Sequence, residues 1–355
     1  MKKKIALIIT TIALAVSALT GCGASPAEGD TKTTATGETT TTGGEENTEL
    51  ETITIRACFS TGMTGGVNNF AIEKGLYREL GIELEVTPGE KSDDRLALIS
   101  RGEVDVVDGD PSAFIPAINN GVPAKLVGNM WRYSGCYWLI ANNEIKDFAD
   151  LKGKTIGTSG AAGGLKLSVL KMLEKNGISV DDVTLVANGS HQSAYATLTS
   201  GEVDATIIHN PYAALAEAEG TGHALGRAWD YIPDYYTGTI MAHNDFIENE
   251  PEKLQRFLTA YYTVHEQVKN EYFDEFVTWA AEKMNTSEEI MKTAIESEID
   301  VWVDYPVIPE DRLEKTVEYL KQYGWMDESV TLEGVYTNEF ALKAAEELGM
   351  TDPEE

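Results

Sequence analysis

Gly102-Glu103-Val104-Asp105 runs into Val106-Val107-Asp108-Gly109-Asp110-Pro111, and Gly201-Glu202-Val203-Asp204 runs into Ala205-Thr206-Ile207-Ile208-His209-Asn210-Pro211. The same four residues open both stretches. A short β-branched run follows each, then an Asp-Pro or Asn-Pro step, and then a glycine at the same offset, Gly121 and Gly220. A supersecondary unit repeated once at so long a spacing predicts two similar lobes, because solenoid repeats recur at about 20 to 50 residues. Two such lobes leave a cleft between them, where small ligands usually bind.

The flanking segments recur in the same order. In the first lobe, alternation and β-branching predict a strand over 53–59, then a loop over 60–66 and a helix over 68–80. A strand follows over 82–86, a helix over 93–101 before Gly102, a strand over 104–107 and a helix over 111–119. The second lobe repeats this with a strand over 154–158, a small-residue loop over 159–164 and a helix over 165–176. It continues with a strand over 183–186, a helix over 193–199, a strand over 205–208 and a helix over 211–219. Strands separated by helices predict parallel sheets with βαβ crossovers, so each lobe is expected to be a doubly wound α/β unit. Segments 137–141 and 236–242 are expected to cross between the lobes as a two-strand hinge. Helices over 251–270, 273–284, 287–298 and 311–323 are expected to pack back mostly on the first lobe. The domain plan is therefore lobe one over 52–137 and 243–355, and lobe two with the hinge strands over 138–242.

The amino terminus reads as a targeting segment. Lys2, Lys3 and Lys4 precede an apolar run that ends at Val16, shorter than the roughly 20 residues of a transmembrane helix. Leu19-Thr20-Gly21-Cys22 resembles a bacterial lipobox, which implies removal of residues 1–21 and a lipid on Cys22. Residues 22–51 are rich in Thr, Gly and Glu, with little to bury, and read as a disordered tether. The chain carries 28 Lys and Arg against 58 Asp and Glu, a net charge of −30. That excess repels nucleic acid and anionic lipid and suits an exported soluble monomer. Beyond Cys22 only Cys58 and Cys136 remain, with no Cys-x-x-Cys and no zinc spacing. Two buried thiols are expected, and no metal or cofactor.

Ligands of parallel α/β sheets sit beyond the carboxyl ends of the strands. Four stretches qualify: Ser60, Thr61 and Gly62; Asp108 and Asp110; Ser159, Gly160 and Ala161; and the stretch beginning at His209 that holds Asn210 and Tyr212. His191 starts a further helix there. The small-residue loop from Ser159 to Gly164 offers free N–H groups and the positive end of a helix dipole to a carboxylate, sulfonate or phosphate. It lacks nucleotide-binding spacing. Asp110 and Asn210 each precede proline and also suit a helix cap. Asp108 would hold an amino group or ring N–H. Trp131 and Tyr236 lie near the cleft edge and hinge, where aromatics clamp flat or cationic ligands. Arg132, beside Trp131, is expected to point outward, leaving no arginine on a cleft loop.

Glu73-Lys74-Gly75-Leu76-Tyr77, Leu80-Gly81-Ile82-Glu83-Leu84-Glu85, the Gly-Glu-Val-Asp copies and Asp150-Leu151-Lys152-Gly153-Lys154 together resemble the substrate-binding proteins of ATP-driven importers for nitrate, aliphatic sulfonates and taurine. The same family includes binders of thiamine-pyrimidine precursors. The resemblance spans roughly 53–270. It implies a two-lobed periplasmic-binding-protein type II fold, a small-molecule ligand in the cleft, and an ABC permease with its ATPase as partners. A small organic anion or zwitterion of sulfonate or taurine type is the expected ligand, with a flat heterocycle as the alternative. A ligand sensor for a membrane receptor would share these features. An enzyme is not expected. Gly-x-Ser-x-Gly and His-Glu-x-x-His are absent, as is the Cys-rich motif of the pyrimidine-making relatives.

Overall fold

A computed structural model describes residues 51–89, 91–160, 162–189 and 191–354. The leader, Cys22 and all but the last residue of the expected tether lie outside the described residues, as does Ala161.

The strands are β1 (Ile53–Cys58), β2 (Ile82–Val86), β3 (Val106–Gly109), β4 (Ala124–Asn129), β5 (Trp138–Ala141), β6 (Thr155–Thr158), β7 (Thr184–Ala187), β8 (Ala205–Ile208), β9 (His223–Arg227) and β10 (Thr239–His243). They form two five-stranded sheets, in the orders β2-β1-β3-β10-β4 and β7-β6-β8-β5-β9. Helices connect and cover both. Each sheet is mixed rather than wholly parallel. β1, β2 and β3 run parallel, and so do β6, β7 and β8, but β10 and β5 are antiparallel to both neighbours. The reason is the route of the chain. The carboxyl ends of the parallel strands face the cleft, and a strand entering from the other lobe begins where they end. It therefore runs the opposite way. β5 and β10 lie inside the sheets, so the crossings themselves are the segments 130–137 and 228–238.

The repeated tetrapeptide performs one task twice. Asp105 Oδ2 accepts from the backbone N–H of Arg56 at 2.8 Å, and Asp204 Oδ2 from that of Thr155 at 2.9 Å. The N–H groups of Asp105 and Asp204 return the bond to the carbonyls of Arg56 and Thr155, and the carbonyls of Asp105 and Asp204 accept from His243 and Asn142 at the ends of the antiparallel strands. Each Asp thus ties three strands together. Gly102 and Gly201 stand at φ of 64° and 76°, ending the preceding helix in the left-handed region that glycine enters without a Cβ clash.

The first lobe's core holds Ile55, Phe70, Tyr77 and Ile240 on one face of its sheet with Phe257, Tyr261 and Tyr262 of the helix Pro251–Asn270. The opposite face packs Val107, Phe114 and Met241 against Leu313 and Leu320 of Glu310–Gln322. The second lobe has its own layers around Ile156, Leu139 and Met172, and around Ile140, Leu198 and Ala216. A helix absent from the sequence-based expectation, Glu339–Leu348, adds Phe340 and Ala344 to the first lobe. The C-terminal segment also reaches the second lobe. Leu167, Ile232 and Tyr235 pack with Tyr319, Tyr323 and Trp325.

Candidate functional site

A cavity of about 470 Å³ lies between the lobes. Ser60 and Asp110 line it from beyond β1 and β3, and Ser159 and His209 from beyond β6 and β8. The helix Gly164–Lys175 begins at its wall, with Ala162, Gly163, Gly164 and Leu165 all lining it. Lys91, Ser92, Asp93 and Arg95, at the start of the helix Ser92–Ser100, close another side. Arg132 and Tyr137 come from the crossing segment. A larger hollow of about 550 Å³ is lined by C-terminal residues alone, including Lys269, Asp304 and Met350. Lys269 and Asp304 there already pair at 2.8 Å, so the inter-lobe cavity is the stronger candidate.

Charge on the cavity wall is mixed, and part of it is already engaged. Asp108 is fully buried and does not itself line the cavity. Its Oδ1 accepts from Ser60 N at 2.6 Å and Ser60 Oγ at 2.7 Å, with Arg95 Nε 4.0 Å away. Burial raises its pKa, opposed by Arg95 and by the two Ser60 bonds. Arg95 also donates to the Gly89 carbonyl and to Ser92 Oγ. Asp110 caps the helix Pro111–Asn119 by accepting from Ser112 N at 2.8 Å, as its place before proline predicts. Its pKa too is raised, by burial first.

Arg132 departs from expectation. It points inward, is 4% exposed, and its buried Nε has no hydrogen-bond partner. Trp131, at φ 40°, makes the turn that sends it there. That strained angle is held by packing: Trp131 Nε1 donates to the Thr64 carbonyl at 3.1 Å, and its ring meets Trp302 edge-on at 4.9 Å. The guanidinium lies 4.9 Å from the Trp131 ring. A desolvated guanidinium whose Nε has no partner, lining the same cavity as a helix start, is an anion site by its chemistry.

His191 and His209 stack with ring centres 5.0 Å apart, and Tyr137 meets His209 edge-on at 5.0 Å. Burial lowers the pKa of both histidines, His209 far more, with His191 and Arg132 adding to the effect. Both rings are neutral at pH 7. Of the two, only His209 lines the cavity, as an uncharged ring.

Behind the cavity lies a chamber of about 10 Å³ that shares Thr64, Arg132 and His209 with it. Asn210 is there and caps no helix. Its Nδ2 faces Ala294 O, Ser297 Oγ and Glu298 Oε1 at 3.0, 3.1 and 2.9 Å. Trp138 Nε1 donates to the same Glu298 oxygen at 2.5 Å.

The remaining expected residues are scattered. Thr61 is exposed, and Gly62 borders a separate hollow with Trp279. Gly160 packs toward Ala187. Tyr212 lies against Tyr195 in the second lobe's core. Tyr236 is wholly buried, donating to Asn129 Oδ1 at 3.3 Å. Its aromatic character serves packing, not the cleft. Lys91, Arg95, Arg132 and Tyr137 were missed. The strand-end rule would have found the first two if applied to β2, whose carboxyl end leads directly to them. Cys58 and Cys136 are buried and unbonded to each other. Among the described residues no group of three or more His, Cys, Asp and Glu is arranged to hold a metal.

A family model described as NMT1/THI5 like matches residues 69–270, more than half of the chain. The ligand-binding component of an ABC-type import system from Staphylococcus aureus, solved with zinc bound, superposes with a TM-score of 0.68 at 14% identity, covering 82% of this chain and 98% of that one. The periplasmic aliphatic sulphonate binding protein SsuA of Escherichia coli gives 0.64 at 17% identity, over 79% and 91%. Likeness at such identity establishes the two-lobed binding-protein fold. In sequence, the chain is 26% identical over 201 residues to a 4-amino-5-hydroxymethyl-2-methylpyrimidine phosphate synthase of Schizosaccharomyces pombe, 53% of this chain and 57% of that one. The chain spans 57% of the length of that synthase and 69% of the length of a putative binding protein of Bacillus subtilis.

Proposed function

This chain belongs to the NMT1/THI5-like family, and from that we propose that it is the extracytoplasmic solute-binding component of an ABC importer. Its ligand is a small organic anion or zwitterion of sulfonate or taurine type, held between the lobes. Arg132 carries the proposal. A buried guanidinium with an unpartnered Nε, facing a cavity that also meets the start of the helix Gly164–Lys175, suits an acidic group. Asp93, lining the same cavity, suits an amine on the ligand. Tethering through Cys22 belongs to the same proposal. Replacing Cys22 with Ala is expected to move the protein from the membrane to the soluble fraction.

His209 and Tyr137, both lining the cavity, favour a second ligand class, a flat heterocycle such as a pyrimidine precursor. One thermal-shift screen separates the two, since a ligand that binds only the folded state raises the melting temperature. Taurine, ethanesulfonate, nitrate, amino acids, pyrimidines and flavins form the panel. Stabilisation by taurine or ethanesulfonate is expected. Arg132→Met should weaken it about 10- to 100-fold, the worth of a charge-assisted hydrogen bond. Stabilisation by pyrimidines or flavins alone would remove the anion assignment and leave the importer role standing.

A further inference from the structure

Glu298 sits where two otherwise separate features meet. It follows the helix Glu288–Glu296, whose Met291 and Ile295 belong to the first lobe's core, yet its carboxylate is bonded to Trp138 and Asn210 of the second lobe. The same side chain lines the chamber behind the cavity, together with Arg132. Arg132 in turn lines the cavity. One buried cation is thus shared between a buried carboxylate on its inner side and the ligand space on its outer side.

We propose that Glu298 and Arg132 form a proton-coupled pair, so that capture of an anion beside Arg132 draws a proton onto Glu298. This rests on the anion-binding proposal above. The electrostatics have one sign. In the ligand-free protein the positive charge of Arg132 and the bonds from Trp138 and Asn210 work against burial, which is the largest influence and pushes the Glu298 pKa up to about 8. A bound anion neutralises Arg132 and adds a negative charge in a space with little water. Both changes favour the neutral carboxyl and raise the pKa further. The bound state then holds more protons than the free state above pH 8, and the linkage relation makes affinity fall as pH rises through that window. Below about pH 7 both states are protonated and affinity is level.

The other titratable groups facing the chamber do not change charge in this window. Cys136 is pushed well above its usual range by burial, with Glu298 adding to the effect, and His209 far below its own. Tyr137, beside His209, is also raised by burial. Asp110 on the cavity wall and Asp108 beneath it are carboxylates whose pKa values burial raises and the charge of Arg132 opposes, and Glu298→Gln separates their contribution from that of Glu298. Glutamine keeps an oxygen for Trp138 and Asn210 while removing the proton site.

Calorimetry with ethanesulfonate, whose charge is constant over the range, tests the coupling from pH 6 to 9.5 in buffers of differing ionisation enthalpy. The wild type should take up close to one proton per anion near pH 9 and lose affinity there by up to tenfold per pH unit. Glu298→Gln should bind with no uptake and a flat profile. The indole N–H resonance of Trp138, assigned by its loss in Trp138→Phe, should titrate near pH 8 without ligand and stay fixed in Glu298→Gln. Equal proton uptake in both proteins, or an indole signal that does not move, overturns the coupling and leaves anion binding intact. No ethanesulfonate binding at any pH overturns the anion assignment, and the coupling with it.

Discussion

At the scale of single residues, Asp108 shows how burial decides a role that chemistry leaves open. A carboxylate at a strand end was expected to meet the ligand. It instead sits beneath the cavity wall, fixing Ser60 through two hydrogen bonds and facing Arg95. Removing one member of a buried ion pair costs about 3–5 kcal/mol, because the other charge is left uncompensated. Losing one neutral hydroxyl donor to it costs about 1–3 kcal/mol. Asp108→Asn is therefore expected to destabilise the protein more than Ser60→Ala in urea unfolding. If Asp108→Asn proves the milder of the two, the native carboxyl is already neutral and the pairing with Arg95 is absent. Arg132 teaches the complementary lesson. Its neighbours in sequence give no sign of direction. Its inward path depends on Trp131 being held at a positive φ by Thr64 and Trp302, which are distant in the chain.

At the scale of elements, the repeat was legible because it is a solution to a local problem. Asp105 and Asp204 each accept a backbone N–H of a parallel strand at the same sequence separation. The antiparallel strands were visible as segments but not as sheet members. Their partners are set by the path between lobes, which residue periodicity does not encode. β4 and β9 were missed for a different reason. β4 is buried along nearly its whole length and follows Pro123, while β9 is half-exposed throughout, so neither alternates. The small-residue loop was expected to let a ligand approach its backbone, and at Gly164 the close neighbours are protein side chains. A Cβ built on Gly164 would stand 2.7 Å from Tyr137 Oη and 3.0 Å from Tyr235 Cε1. Both tyrosines are buried, and only Tyr137 borders the cavity. Gly164→Ala should force Tyr137 toward the cavity it lines, costing about 1–3 kcal/mol of stability and weakening ligand binding in the same calorimetric assay. Unchanged stability with unchanged affinity would show that the two rings yield freely, and would remove Tyr137 from the site.

At the scale of the whole molecule, two crossing segments suggest lobes that rotate to enclose a ligand, but the C-terminal segment constrains how they do so. Asn210 and Trp138 hold Glu298. Tyr319 donates to Asp234 on the second crossing, and Tyr319, Tyr323 and Trp325 pack on Leu167 and Tyr235. These contacts leave the second lobe joined to the first by four stretches of chain rather than two. Rotation about the crossings must either carry the end of the helix Glu288–Glu296 along or break its bonds to Asn210. Hinge closure normally concentrates its dihedral changes in a few residues. Here the bonded clasp opposes opening, because opening separates Asn210 from Glu298. Asn210→Ala is therefore expected to enlarge the radius of gyration of the ligand-free protein in solution scattering. Saturating ethanesulfonate should bring the wild type and the variant to the same smaller value, since the bound anion then supplies the link across the cleft. A variant whose ligand-free radius equals that of the wild type would show that the clasp does not restrain the lobes. A radius unchanged by saturating ligand in both proteins would count against rotation itself, placing capture in a cleft that is already shaped for its ligand.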